Sequence, residues 1–236
     1  MALEKVATEL KYPCTYRHYG CRETYKLDLI GGHQEKCQFV PQPCPINKLD
    51  LGNCNWLGIS SKINSHLKQA HNNICMDYHG DGSYGSCGPN RSSRLFVTPV
   101  VSRGQGSNEN RGRFQISGIT PATKHCKLIF AYDVVFCSRS EIKNGVFYSV
   151  LQYIGPAADA VMYQYKLKFF NKERTEVLAV KLLARSLDED LSEIRHSGNC
   201  VKLYPEQFNR FANEGSELAF WMEIIRVGQN YPHGYP

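Results

Sequence analysis

"SHLKQAH", residues 65–71, closes a short amphipathic segment with two histidines five positions apart. At about 100° per residue, His66 and His71 diverge by about 140° on an undistorted helix, so a regular helix does not aim both at one point. The stretch "SSKINSHLKQA" places Ile63, Leu67 and Ala70 at helical spacing, which predicts a packed helix with His66 beside its apolar stripe. A last turn that loosens before "NN" would bring both imidazoles to one metal ion, and the cysteines upstream favour that reading.

Backwards from His71 the order is Cys44, Cys54, His66, His71, a C-x9-C-x11-H-x4-H pattern. Earlier in the chain Cys14, Cys21, His33 and Cys37 give C-x6-C-x11-H-x3-C, offset from the second set by 30, 33, 33 and 34 residues. The eleven-residue gap is common to both. Two such quartets of thiolate and imidazole ligands predict two closed tetrahedral zinc sites, hence two structural Zn2+ ions per chain with no position left open for substrate. Each module is expected to hold an extended cysteine pair and then a short helix, with His33 and Cys37 on one helical face. Neither "YKLDL" nor "NWLGI" supplies much core, so folding of these modules should depend on the metal.

The chain has 236 residues, 42% of them hydrophobic, enough for a substantial core. No run approaches the roughly 18 apolar residues of a membrane span, and "MALEKVATELKYPC" lacks the apolar centre of a secretory signal. A cytoplasmic location, with the nucleus as a second one, is therefore expected, and ten cysteines then read as ligands or thiols rather than disulfides. Cys75 and His79 read as loop residues; Cys87, Cys126, Cys137 and Cys200 read as thiols acting as small hydrophobes. His18, His125, His196 and His233 show no partner pattern. No catalytic residues are expected, because no nucleophile, base and orienting group occur together. "GDGSYGSCG" reads as a linker rather than a phosphate loop.

The net charge is +6, but residues 1–90 carry nine Lys/Arg against eight Asp/Glu. Most of the excess lies in residues 91–113, where five arginines face one glutamate. The near-neutral finger half, with cysteine gaps of six and nine residues, argues against a nucleic-acid partner, whose zinc fingers use gaps of about two to four.

From about residue 93 the period changes. "YQYKLKFF" alternates strictly, Tyr163, Tyr165, Leu167 and Phe169 on one face and Gln164, Lys166 and Lys168 on the other, which predicts a half-buried strand. "KLIFAYDVVF", "GVFYSVLQYIG", "EVLAVKLLA" and "ELAFWMEIIRV" are further strands, with "RSEIKNG" and "FNKERTE" as turn-rich connections. Their number and short connections predict an antiparallel β-sandwich. Short helices are expected within "PEQFNRFANEG" and "SLDEDLSEIRHSG", and "SRGQGSNENRGR" reads as a loop between early strands. "ELAFWMEIIRV" is apolar on both faces apart from Glu223 and Arg226, although a strand in a two-layer sandwich needs only one buried face.

"PCTYRHYGC", "HQEKC", "CNWLG", "SHLKQAH", "VLQYIG" and "FANEG" resemble the seven-in-absentia (SINA/SIAH) family of ubiquitin ligases, over about residues 2–227. The resemblance implies a mostly β chain: two SIAH-type zinc fingers, then a TRAF-like antiparallel sandwich that binds substrates and dimerises. In these terms residues 1–12 are an N-terminal helix remnant, 13–78 tandem zinc fingers, 79–92 a linker, 93–228 the sandwich and 229–236 a tail. One zinc would sit on Cys14, Cys21, His33 and Cys37, the other on Cys44, Cys54, His66 and His71. Peptide binding at a sheet edge would involve Leu95, Phe96, Val97 and Thr98; the second apolar face of the last strand is expected to be covered either by a helix or neighbouring loop or by a second copy, the latter making Trp221 a dimer-interface residue.

Two departures qualify this picture. "ALEKVA" resembles the stretch after the family's RING, so the RING that holds a ubiquitin-charged conjugating enzyme is expected to be missing. Residues 92–126 match least: apolar anchors for a captured peptide are not evident in "SGITPATKHC" and a tryptophan expected near Thr120 is absent; separately, about three extra residues lie between Cys44 and Cys54. The implied function is a zinc-binding substrate adaptor in ubiquitin-dependent proteasomal degradation, inactive alone. Its partners would be substrate proteins, a second copy or RING-bearing paralogues, with conjugating enzyme reached only through a partner RING. The alternative is the recognition part of a complete RING-type ligase.

Overall fold

A computed structural model describes residues 9–49, 51–77, 112–119 and 124–227. The chain divides into two compact units, 1–69 and 70–236. Among the described residues, no helix is long and apolar enough to cross a membrane.

The first unit repeats one small motif. β1 (Lys11–Pro13) pairs antiparallel with β2 (Thr24–Lys26), and the chain passes directly into α1 (Leu27–Lys36). β3 (Gln42–Pro43) pairs in the same way with β4 (Leu57–Gly58), and α2 (Ser60–Ala70) follows. Of the helix expected over 1–12, residues 1–8 lie outside the described residues and Lys11–Pro13 forms β1. The cysteine pairs are not extended as predicted. A 3-10 turn follows each first cysteine, Thr15–Tyr19 after Cys14 and Pro45–Lys48 after Cys44. In the first module the turn lets the Tyr16 amide donate to the Cys14 sulfur at 3.4 Å, and Gly20, at φ 113°, ends it in a conformation that a side chain would strain. Buried apolar contact is uneven between the modules, the second burying Ile46, Leu49, Ile63 and Leu67. α1 buries none of its residues, α2 buries Ile63 and Leu67, and Tyr16, Phe39 and Val40 pack on the cysteines of the first module.

In the second unit a 3-10 turn (Asn72–Ile74) leads to β5 (Cys75–Asp77), so Cys75 opens a strand and does not lie in the loop expected of it. Ten further elements belong to one sandwich: β6 (Gly112–Ile119), β7 (Lys124–Ala131), β8 (Val134–Lys143), β9 (Val146–Ile154), β10 (Tyr163–Phe170), β11 (Val177–Leu183), β12 (Arg185–Ser186), α3 (Leu191–His196), β13 (Val201–Leu203) and α4 (Pro205–Phe211). β14 (Leu218–Arg226) completes it. One sheet has the order β11-β10-β14-β6, the other β12-β9-β8-β7-β5 with β13 also on β9. Pairing is antiparallel except for β12 on β9 and β5 on β7, which are parallel.

The alternation of β10 holds: Tyr163, Tyr165, Leu167 and Phe169 are buried while Gln164, Lys166 and Lys168 face outward. β14 buries Leu218, Phe220, Met222 and Ile224 against them. Across the sandwich stand Ile129, Phe136, Phe147, Leu151 and Tyr153, with Phe147 edge-on to both Phe169 and Phe220. At about 25 cal/mol per Å2 of apolar area removed from water, burial of this layer favours the folded unit.

"KLIFAYDVVF", expected as one strand, is a hairpin. β7 ends at Ala131 and β8 starts at Val134, with Tyr132 and Asp133 at φ 55° and 60°, the left-handed conformation of a two-residue hairpin turn. Turn formation here uses neither glycine nor proline; the Tyr132 hydroxyl secures it by donating to the Ile224 carbonyl of β14 at 3.0 Å. Conversely, most of "RSEIKNG" belongs to β8, and Asn144-Gly145 alone make the turn to β9. The two short helices form where expected, as α3, with its N-terminal amides capped by Asp190, and α4.

The linker 79–92, the tail 229–236, His79, Cys87, His233 and the peptide-binding residues Leu95, Phe96, Val97 and Thr98 lie outside the described residues. So does most of "SRGQGSNENRGR", whose last two residues open β6.

Candidate metal centres

The eight ligands predicted from spacing fall into two groups. In Cys14, Cys21, His33 and Cys37, and again in Cys44, Cys54, His66 and His71, the ligand atoms lie within 4.8 Å of one another. Zn–S and Zn–N bonds of about 2.3 and 2.0 Å at a tetrahedral angle require S···S near ~3.8 Å and S···N near ~3.5 Å. Cys14 and Cys37 have sulfurs 3.9 Å apart, and Cys21 Sγ stands 3.4 Å from His33 Nε2. In the second group His66 Nε2 is 3.2 Å from Cys44 Sγ and 3.5 Å from Cys54 Sγ. These edges match a tetrahedron centred on zinc. A zinc ion would leave the Cys3His group with one net negative charge and the Cys2His2 group neutral.

Each ligand is placed by an element end. His33 and His66 project from α1 and α2. Cys37 was expected on the same helical face as His33, but α1 stops at Lys36 and Cys37 has extended backbone (φ −68°, ψ 125°), which turns its sulfur back toward Cys14. The loosening anticipated before "NN" does occur: α2 ends at Ala70 and His71 departs from it at φ −131°, ψ 33°. That departure cancels the divergence of about 140° a continued helix would impose. The Cys75 thiol donates to the His71 carbonyl at 3.1 Å, so Cys75 supports the backbone of a ligand without belonging to the group.

Burial raises the Cys37 and Cys44 thiols to about 11, and neighbouring thiols add to the shift. Such crowding of sulfur is unfavourable for thiolates unless a cation compensates it, as a divalent metal does.

Three supporting residues escaped sequence reasoning. Trp56 stacks on His66 and Tyr25 on His33, each aromatic standing between the second cysteine and the histidine of its repeat. That shared placement was the available signal. Asn47 brackets Cys54: its Nδ2 donates to the Cys54 carbonyl at 2.9 Å and its Oδ1 accepts the Cys54 amide at 2.8 Å. This clamp fixes the second cysteine across the longer x9 gap.

Trp221 lies half-buried on the outer face of β14, edge-on to Phe170 and opposite Lys168 of β10. It is remote in sequence from both groups and belongs to neither. Cys137 and Cys200 are buried, as expected of small hydrophobes, whereas Cys126 is half-buried.

Comparison with known proteins agrees with this geometry. The family profile described as "Sina, zinc finger" matches residues 5–84, and "Sina, TRAF-like domain" matches residues 129–222. The "E3 ubiquitin-protein ligase sina" of Schistosoma mansoni is 32% identical over 216 residues, covering 92% of this chain and 50% of the relative. The "E3 ubiquitin-protein ligase siah-1" of Caenorhabditis briggsae is 31% identical over 234 residues, 99% of this chain and 48% of the relative. The sina protein of Drosophila melanogaster is 21% identical over 218 residues, 92% of this chain and 60% of the relative. The chain thus spans about half the length of these relatives. With two Cys/His groups of one plan, a sandwich later in the sequence and both Sina domain types matched in that order, the chain belongs to the seven-in-absentia family.

Proposed function

We propose that the chain is a substrate-recognition adaptor in ubiquitin-dependent proteasomal degradation, held together by two structural zinc ions and acting in the cytoplasm. The observation that carries this reading is the completeness of both Cys/His groups: four protein ligands each leave no site for water or substrate, so the metals organise a binding surface and perform no reaction. The ligase names of the relatives supply the pathway. Recognition falls to the sandwich, which takes peptides or substrate proteins, with a second copy or a RING-bearing paralogue on its other surface. Conjugating enzyme is brought by the RING of such a partner.

A second reading, that these residues are the recognition part of a longer RING-type ligase, is favoured by one fact: the chain covers 48–60% of its relatives. Reconstitution tests the adaptor reading, and coding sequence for a RING upstream of Met1 would decide for the second. With activating enzyme, conjugating enzyme and ubiquitin, the isolated chain should give background transfer only, and adding a RING-bearing paralogue should bring transfer onto proteins that the chain retains in a pull-down. Transfer by the chain alone that depends on Cys137 or Cys200 would overturn the adaptor reading.

A further inference from the structure

Outside the metal centres, two cysteines that sequence spacing left unrelated meet on neighbouring strands. Cys126 on β7 faces Arg139 on β8, and Leu128 faces Cys137, so the two cysteines are diagonal neighbours on one face of the hairpin. Their sulfurs are 3.3 Å apart. Cys126 is half-buried, whereas Cys137 is fully buried. Contact from the Cys137 thiol, and then the charges of Arg139 and Lys127, hold the Cys126 thiol below its ordinary range against the opposing effect of burial. Cys137 shifts the other way, raised by its contact with Cys126 and by burial. The pair is asymmetric: one reachable, acidified sulfur and one shielded, protonated sulfur behind it.

We propose that Cys126 and Cys137 form a reversible thiol–disulfide modification site, Cys126 attacking and Cys137 resolving, with a hydroperoxide as oxidant. The Cys126 thiolate attacks the terminal peroxide oxygen; the O–O bond breaks and the alcohol, or water from hydrogen peroxide, leaves after taking a proton. Cys126 is then a sulfenic acid. The Cys137 sulfur attacks the Cys126 sulfur, the S–O bond breaks, and the oxygen departs as water with the Cys137 proton. In sum two thiols lose two electrons and two protons, and one hydroperoxide is reduced to alcohol and water. Diagonal cross-strand positions stand about 7–8 Å apart at Cα, beyond the ~4.4–6.8 Å of relaxed disulfides. Closure therefore needs a local shift of β7 against β8, and a bond closed under strain returns readily to thiols on exchange with a dithiol reductant. Such a bond suits a switch better than a structural brace.

The zinc-loaded full chain should be exposed to equimolar hydrogen peroxide, its remaining thiols blocked with N-ethylmaleimide, and the digest mapped by mass spectrometry. A chromogenic chelator should follow zinc release in parallel. The expected product is a peptide cross-linked through Cys126 and Cys137, formed before zinc is released and lost on treatment with a dithiol. In native protein iodoacetamide should reach Cys126 at least about tenfold faster than Cys200. In Cys137→Ser, Cys126 should accumulate as a dimedone-reactive sulfenic acid; should that variant fail to fold, the map of the unmutated protein decides alone. Oxidation of the ligand cysteines with Cys126 left free, or a Cys126 sulfenic acid that persists beside a free Cys137, would overturn the proposal.

Discussion

The indole of Trp56 lies flat on the imidazole of His66, ring centroids 4.4 Å apart and planes 5° from parallel. Tyr25 covers His33 in the other module at 4.6 Å and 28°. Gly58 makes the first stack possible, since a Cβ there would fall 2.3 Å from the indole. Groups that orient a ligand histidine typically change metal affinity about 10–100-fold when removed. Trp56→Ala is therefore expected to weaken zinc binding about tenfold, and Gly58→Val to do so by displacing the indole. Competition with a chelator of known affinity measures both, and unchanged affinity would reduce the stack to packing.

Loss of a ligand should act locally. Cys14→Ser and His66→Ala are each expected to release about one zinc and loosen the finger half, while the aromatic sandwich core keeps its near-ultraviolet circular dichroism. Elemental analysis finding fewer than two zincs in carefully prepared unmutated protein would contradict the assignment of both groups.

Tyr132 and Ile224 link the two sheets through a hydrogen bond of 3.0 Å, between residues 92 positions apart. Tyr132→Phe keeps the ring and removes the donor. Urea denaturation of the zinc-loaded protein should show a loss of about 1 kcal/mol.

His125 is buried on β7 opposite Ser140, and neither ring nitrogen has a partner among the described residues. Burial, and then Lys127, lower it to about 4. The folded protein thus disfavours the charged imidazole that an unfolded chain, titrating near 6.5, accepts freely. Stability is full above pH ~6.5, falls as the pH drops toward 4, and levels off below; the whole effect is at most ~3 kcal/mol. His125→Leu should flatten that slope in denaturation curves taken across the window. A slope that survives the substitution would place its origin elsewhere.

The outer face of β14 offers Trp221 and Ile225 beside Ala219, flanked on β10 by Lys166 and Lys168. If this face joins two copies, the protein should sediment as a dimer at tens of micromolar and Trp221→Glu as a folded monomer. A monomeric unmutated protein at that concentration would remove Trp221 from any dimer contact.

The two Cys/His groups were legible because ligand chemistry tolerates few residue types and the eleven-residue gap recurs. What spacing did not convey was backbone direction at the edges: Cys37 sits one step beyond α1, and 3-10 turns separate the cysteines. β10 was legible for a different reason. Its sheet has one wet face, so polarity alternates along it. β7 and β8 carry buried residues on both faces, among them Leu128 and Cys137 on one and Ile129 and Phe136 on the other, which erases the period. The turn between them, lacking glycine, left nothing to divide "KLIFAYDVVF". The diagonal meeting of Cys126 and Cys137 depends on that turn and was hidden with it.

Among the described residues β14 is the last strand of the sandwich in sequence, yet it occupies an interior place in its sheet, between β10 and β6. Its register joins Leu218 to Ile119 and Phe220 to Phe169. During synthesis, then, the four-stranded sheet has a gap at its middle until residues 218–226 have left the ribosome. Tyr165, Leu167 and Phe169 wait without their cover meanwhile, a long-range pairing of the kind that folds slowly and is open to aggregation. A stop codon anywhere before Leu218 would accordingly yield a chain that chaperones and proteases meet as unfinished, because it lacks the strand to which both flanking strands must bond.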